Sequence, residues 1–326
     1  MRDFPKDPKV PQAYFFLGYN YFEIGDKKKG EEYYKKLSSQ YPKSSYVDES
    51  NFALGEYFFE NNNWKEAEIY YRRVVRNQRS RLYAFAMFKL AWSLYKQGQY
   101  DNALKTVEKV IYHGRKSKGR GDKSAKGVSS VRLASEALKD LVVFYAEAGD
   151  YKDAYDYFYK VAGKKTGPSI YERLGYYYAD RGNRTAARHI FSELIRRDPI
   201  SPKAFELKYK LVTMFSTAGS EKIFKEELFE WIEQYGPGSS WQKANAKNQE
   251  LINKSQLLAE ATLRNFTLQY HQTAQNSRAK HSQDMAQSGY QLYFTTFKNS
   301  ERQDEMHFFY GELLYDLKSY SRAAAS

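Results

Sequence analysis

Large apolar side chains recur every three or four residues in short runs along this chain, and polar turns with Gly or Asn separate the runs. Apolar residues at i, i+3, i+4 and i+7 fall on one face of an α-helix, so each run predicts an amphipathic helix. The runs come in pairs, because a second run begins a few residues after each Gly or Asn. The pattern therefore predicts an all-α chain of helical hairpins.

The predicted hairpins repeat in register. In the first one, the small residue Gly18 is followed by a large side chain three residues later and by Gly seven residues later. A second small residue comes twelve residues after Gly18, and large side chains come after sixteen and nineteen residues. The central Gly predicts a tight turn, and the small residues predict close contact between the two helices. The residues equivalent to Gly18 are Gly55, Ala91 and Gly175.

The register divides the chain into consecutive segments. Repeats begin near residues 11, 48, 84, 135 and 168, and a degenerate sixth begins near 205. We expect repeats one to six over residues 1–235, with a basic loop inserted at 113–127 where the spacing rises to 51 residues. Residues 236–300 predict an atypical long helical hairpin. Residues 301–326 predict the start of a further, truncated repeat, and hence further repeats of a longer chain.

The repeat resembles the tetratricopeptide repeat (TPR) family. The resemblance implies a right-handed superhelix (α-solenoid) of about seven helix–turn–helix units, which binds a protein or peptide partner. Two segments carry the motif most fully: Tyr14, Leu17, Gly18, Tyr21, Gly30, Tyr34, Leu37 and Pro42, and then Tyr171, Leu174, Gly175, Tyr178, Ala187, Phe191, Leu194 and Pro199.

Residues 11–111 are also similar to the TPR proteins of bacterial cell envelopes. The Tyr-Pro-x-Ser linker at Tyr41–Ser44 and the spacing of 36–37 residues carry this finer resemblance. Such proteins include the lipoprotein of the outer-membrane assembly machinery and the Tol–Pal coordinator. This chain departs from the lipoprotein in its length, its basic insert and its lack of cysteine. The resemblance implies a scaffold within an envelope complex and favours a periplasmic or envelope location over the cytoplasm.

In the TPR family the first helix of each unit lines a concave groove. The alternative is that the rings at these positions only pack against neighbouring helices. The Lys and Asn clamp of chaperone-binding TPR proteins is absent, since Phe15 and Tyr19 occupy the matching positions. Carried onto this chain, the residues expected to line a partner-binding groove are Phe15, Tyr19, Phe22, Phe52, Glu56, Phe59, Phe88, Trp92, Tyr95 and Tyr176.

The formal net charge of +13 adds a second hypothesis. A basic adaptor would bind nucleic acid, anionic lipid or a cell-wall polymer through charged helix faces and the insert. Nucleic acid is the less favoured partner, because the sequence does not place the arginine clusters on one stripe. The Arg-Gly-Asp tripeptide in the insert is too short to indicate adhesion. The basic residues assigned to the insert are Arg115, Lys116, Lys118, Arg120, Lys123 and Lys126.

No pattern of catalytic chemistry is present in the sequence. The chain lacks cysteine, and its five histidines are scattered without metal-ligand spacing. No phosphate-binding loop or nucleophile motif occurs. No run is apolar enough to span a membrane, and residues 1–12 contain no apolar segment of a signal peptide. We therefore expect a non-enzymatic protein without a cofactor or a metal.

Overall fold

The computed structural model describes residues 7–119, 125–217 and 220–325, and the side chains of residues 125–128 lie outside this description. The described residues form seventeen α-helices and no β-strand, so the predicted all-α class is confirmed. The helices are α1 (Val10–Glu23), α2 (Lys27–Gln40), α3 (Val47–Glu60), α4 (Trp64–Val75), α5 (Tyr83–Lys96), α6 (Tyr100–Gly119), α7 (Ala125–Ala148), α8 (Ala154–Ala162), α9 (Gly167–Asp180), α10 (Arg184–Arg197), α11 (Pro202–Ser216), α12 (Glu221–Tyr235), α13 (Ser240–Ala244), α14 (Gln249–Ser277), α15 (Lys280–Thr296), α16 (Gln303–Asp316) and α17 (Tyr320–Ala325).

The chain divides into two compact units, Met1–Tyr178 and Ala179–Ser326. In the first unit α1 packs on α2, α3 on α4 and α5 on α6, and each hairpin also contacts the next one. In the second unit α11 packs on α12, α14 on α15 and α16 on α17. Successive stacked hairpins are the arrangement of an α-solenoid, in which each hairpin buries its apolar face against its neighbours.

The turns within the hairpins lie where the register predicts them. Gly25, Gly98 and Gly182 have φ values of 83°, 75° and 76°, and Asn62 takes the same place with φ 58°. These values lie in the left-handed region, which Gly adopts without strain and Asn adopts more readily than other residues. Lys318 ends the first helix of the last hairpin in the same conformation, with φ 58°.

Close contact between paired helices rests on the small residue of the first helix. A Cβ atom added to Gly18 would lie 2.5 Å from the ring of Tyr34, and one added to Gly55 would lie 2.6 Å from the ring of Tyr71. Each tyrosine therefore lies flat over a glycine, sixteen residues away in sequence. Both rings are fully buried, so the contact excludes water from the centre of each hairpin.

The prediction of a basic loop at 113–127 is wrong at both ends. Residues 113–119 form the last turns of α6, and residues 125–127 belong to α7. The reason is packing: Gly114 is buried, and a Cβ atom placed on it would lie 2.4 Å from Cβ of Ala134 in α7. Arg115, Lys116 and Lys118 are thus exposed on a helix. Lys126 lies in α7 without a described side chain, and Arg120 and Lys123 lie outside the described residues.

The left-handed turns can be tested with a matched pair of substitutions. Gly98 and Gly119 both have open space where a Cβ atom would lie, but only Gly98 has a positive φ, of 75°. Gly98→Ala should therefore lower the free energy of unfolding by about 1–2 kcal/mol, as measured by urea denaturation. Gly119→Ala, in a helix, should leave this free energy unchanged or raise it. Equal destabilisation by the two substitutions would contradict the left-handed turn.

Candidate functional site

The candidate site consists of three positions on the first helix of each hairpin, here called the groove positions. They lie three residues before, one after and four after the small residue, as Phe15, Tyr19 and Phe22 do in α1. Phe15 lies 5.7 Å from Tyr34 and 5.2 Å from Tyr46, between ring centroids. Phe22 stacks on Tyr34 at 5.4 Å. Tyr19 is 47% exposed, so α1 offers this ring to solvent and uses the other two in packing.

Glu56, the central groove position of α3, forms polar contacts with α4 and α5. The hydroxyl group of Tyr71 donates to Glu56, and the other oxygen of Glu56 accepts from Nζ of Lys89 at 2.9 Å. Burial raises the pKa of Tyr71 well above its usual range, and the hydrogen bond to this carboxylate raises it further. Phe52 lies 5.8 Å from the ring of Tyr71. Glu56 therefore orients its neighbours and is only half-buried itself.

Phe59 and the aromatic residues of α5 also pack inside the first unit. Phe59 meets Trp64 at 4.9 Å between ring centroids. Trp92 and Tyr95 both contact the buried ring of Phe144 in α7, at 4.8 and 5.4 Å. These rings are half-buried, and so are the remaining two members of the predicted groove, Phe88 in α5 and Tyr176 in α9.

Helix α16, in the second unit, also has groove positions, and the sequence prediction did not include them. Relative to Gly311, the groove positions are Phe308, Glu312 and Tyr315. Phe308 is 64% exposed and Tyr315 is 65% exposed. The sequence could have predicted them, because Phe308, Glu312 and Tyr315 have the same spacing from Gly311 as Phe15, Tyr19 and Phe22 have from Gly18.

A cavity of 880 Å³ lies over these residues, and we call it the α16 pocket. Its lining combines the exposed rings with three carboxylates, and Tyr320 of α17 meets Tyr315 at 5.3 Å. Aromatic faces beside carboxylates attract a side chain that carries a cation on an apolar stem. The lining includes Asp304, Phe308, Glu312, Tyr315, Asp316 and Tyr320.

A buried histidine of α14 lies in the core of the second unit. His271 in α14 is only 4% exposed, and its Nδ1 lies 2.8 Å from the hydroxyl oxygen of Tyr290. The buried Nε2 has no hydrogen-bond partner among the described residues. Burial lowers the pKa of His271, and the charges of Glu312 and Asp316 partly oppose this shift. The ring is therefore neutral near pH 7.

The arginine clusters are partly neutralised within the chain. Arg72 pairs with Glu68 at 2.7 Å, and Arg81 pairs with Glu49 at 3.1 Å. In the second unit Glu227 pairs with Arg188, and Glu193 pairs with Arg196 and Arg197, at 2.7 Å in each case. These pairs reduce the positive charge that the clusters offer to a polyanion. In the part of the chain that the structure describes, no helix has the length and apolar character of a membrane span.

Comparison with known protein families finds one match, which covers part of the chain. Residues 12–126, about a third of the chain, match a tetratricopeptide repeat-like domain. This match supports the TPR resemblance over α1 to α6 and the first residues of α7. No curated protein matches the chain.

Three solved structures are similar to the chain at low sequence identity. A tetratricopeptide repeat protein from Parabacteroides merdae is 14% identical, with 91% of this chain and 96% of that chain covered, and its TM-score is 0.37. The apo form of RapI is 14% identical, with 88% and 96% covered and a TM-score of 0.39. The TPR2AB domain of yeast Sti1, in a complex named for pHSP90, is 16% identical, with 83% and 99% covered and a TM-score of 0.29.

The buried imidazole predicts a pH dependence of stability. Since the folded-state pKa of His271 lies below its ordinary value of 6.5, the unfolded chain binds more protons at this site in mild acid. The contribution is therefore fully present above pH 6.5 and is lost as the pH falls below this value. We expect the free energy of unfolding, measured in urea from pH 8 to 5, to fall below pH 6.5.

A pair of histidine variants isolates this contribution. His271→Phe should remove the part of the pH slope that belongs to His271. His281→Gln should keep that part, because His281 is exposed and pairs with Glu221 at the surface. An unchanged slope in His271→Phe would show that other groups cause the loss of stability in acid.

Proposed function

We propose that this chain is a non-enzymatic scaffold that binds segments of partner proteins at the groove positions of its first helices. The observation that carries the proposal is the α16 pocket, where Phe308 and Tyr315 are mostly exposed beside carboxylates. Aromatic residues are enriched at protein interfaces, where Tyr and Trp are among the side chains that contribute most to binding. The tetratricopeptide repeat-like match over residues 12–126 supports the same class of function.

The half-buried groove rings of the first unit have a different part in this proposal. Phe22 and Trp92 contribute to packing against Tyr34 and Phe144, so replacing them would change the fold as well as any binding. Tyr19 is the groove residue of α1 that reaches solvent. A partner segment on this unit would therefore meet the edges of packed rings and the exposed ring of Tyr19.

The proposal also includes a setting, which is a complex of the bacterial cell envelope. The support is the similarity of residues 11–111 to envelope TPR proteins, carried by the Tyr41–Ser44 linker and the length of the repeats. In this setting the scaffold would hold together components of an envelope assembly in the periplasm.

A basic adaptor for nucleic acid, anionic lipid or a cell-wall polymer is the second candidate function. The exposed Arg115, Lys116 and Lys118 at the end of α6 support it. The ion pairs of Arg72, Arg188 and their neighbours count against it, because paired guanidinium groups release fewer counterions on binding a polyanion. We therefore place this function second.

Site-specific crosslinking tests the scaffold function. A photo-crosslinking aromatic amino acid is placed at Tyr19 or Phe308 of the full chain, and at Leu257 as a control. Leu257 is a 72% exposed apolar residue that occupies no groove position. Crosslinks in cells should form at Tyr19 and Phe308 and not at Leu257, and mass spectrometry should identify the partner.

Affinity for the purified partner then decides between the two candidate functions. Phe308→Ala and Tyr315→Ala should each weaken binding by about fivefold or more, since truncation of an anchoring ring costs about 1 kcal/mol or above. Their helical circular dichroism should not change, because both rings are exposed. If neither substitution changes the affinity, and added salt abolishes binding, the result would contradict the scaffold function and favour the basic adaptor.

A further inference from the structure

Helices α3 and α16 share a pattern at their groove positions, which is an aromatic residue, then Glu, then a second aromatic residue. We call this pattern the triplet. The central position is aromatic instead in α1, α5 and α9, at Tyr19, Trp92 and Tyr176. The triplet residues are Phe52, Glu56 and Phe59 in α3, and Phe308, Glu312 and Tyr315 in α16.

The triplet of α3 binds a lysine. Nζ of Lys89 donates to the carboxylate of Glu56 at 2.9 Å, and it lies 5.2 Å from the centroid of the Phe59 ring. An ammonium group is attracted both by a carboxylate and by the negative face of an aromatic ring. The structure therefore contains one triplet with its ligand in place, and that ligand is a lysine side chain.

The triplet of α16 has the same groups without a lysine from the described chain. Phe308 and Tyr315 are 64% and 65% exposed, whereas both rings of the α3 triplet are half-buried. Glu312 is exposed and forms no ion pair or side-chain hydrogen bond with a described residue. No Lys or Arg is among the described residues that line the α16 pocket. The chemistry that holds Lys89 is thus presented to solvent.

The charge of the α16 pocket favours a basic ligand. Asp304 and Asp316 line the pocket beside Glu312, and neither forms an ion pair with a described residue. Among the described lining residues only His307 can carry a positive charge, and its ring stacks on Phe294 at 4.0 Å. Three carboxylates make the pocket acidic on a chain whose net charge is +13. Charge complementarity therefore selects a basic segment over an acidic one.

The form of the ligand follows from the way in which Lys89 reaches α3. Lys89 lies on α5, the first helix of the next hairpin, and α5 packs against α4. At the α16 pocket the small residues Gly311, Ala323 and Ala324 belong to the lining. The distance between packed helices depends on the side chains at their contact, so small residues allow another helix to approach closely. A helix that carries a lysine fits such a groove.

We propose that the α16 pocket binds a lysine on a helical segment of a partner protein, in the way that α3 binds Lys89. The ammonium group pairs with Glu312 and faces the ring of Tyr315, which takes the place of Phe59. Asp304 and Asp316 attract further basic residues of the segment. This inference rests on the proposed scaffold function, because it specifies the chemistry of the partner at the same site.

Selection from a peptide library tests the chemistry of the ligand. A phage-displayed library of helical peptides of 14 residues, the length of α5, is panned against the full chain. No position of the library is fixed as Lys. The peptides that are enriched on the wild-type chain and lost on the Phe308→Ala variant should carry a Lys beside apolar residues.

A double-mutant cycle then tests whether Glu312 contacts that lysine. Fluorescence anisotropy measures the affinity of one enriched peptide. Glu312→Gln should weaken binding by about fivefold or more, and replacement of the peptide's Lys by Met should do the same, because the ion pair and the contact with the ring are lost. Both changes together should weaken binding little more than either one alone, since they remove the same interaction.

A matched control removes a carboxylate outside the pocket. Glu301 is exposed just before α16 and does not line the pocket. Glu301→Gln should therefore leave the affinity of the peptide unchanged. An equal loss of affinity in Glu301→Gln and Glu312→Gln would show general attraction between charges and overturn the proposed contact.

Three other outcomes would also overturn the inference. Enriched peptides that lack Lys, or whose affinity does not depend on Glu312, would contradict the lysine ligand and leave the scaffold function intact. Self-association of the full chain in sedimentation, abolished by Glu312→Gln, would show that a second copy is the occupant. If no enriched peptide depends on Phe308, and no crosslink forms at Phe308 in cells, both the inference and the scaffold function at α16 would fail.

Discussion

The structure depends on a contact between a small residue in the first helix of a hairpin and a large side chain in the second. Gly18 under Tyr34 and Gly55 under Tyr71 allow the two helix axes to approach until ring and backbone touch. The buried ring then defines where the other side chains lie. Phe22 stacks on Tyr34, and Glu56 accepts a hydrogen bond from Tyr71. The spacing of sixteen residues therefore organises both the core and the surface beside it.

The same constraint explains why the groove positions differ in their use. Where the next helices cover them, as Phe144 covers Trp92 and Tyr95, the rings contribute apolar burial and hold neighbouring hairpins together. Where they remain exposed, as at Phe308 and Tyr315, they offer anchors beside carboxylates.

The register of the hairpins could be predicted from the sequence, because Gly and Asn in left-handed turns and small residues in helix contacts are local signals. Gly25, Asn62 and Gly98 are examples. The helical state of residues 113–119 could not be predicted, since it depends on the packing of Gly114 against Ala134 in a different helix. The exposure of individual groove rings could not be predicted either, because it depends on covering residues such as Phe144. The aromatic residues of the α16 pocket could have been predicted, since Phe308 and Tyr315 lie three residues before and four residues after Gly311.

The central claim is that partner proteins bind at exposed groove positions of the first helices. Hydrogen–deuterium exchange of the full chain, alone and with the partner identified by crosslinking, tests it most directly. The account predicts slower amide exchange in α16 and in the part of α1 around Tyr19, where a bound segment would cover the helix. Protection confined to the basic end of α6, or to second helices such as α2 and α4, would contradict it.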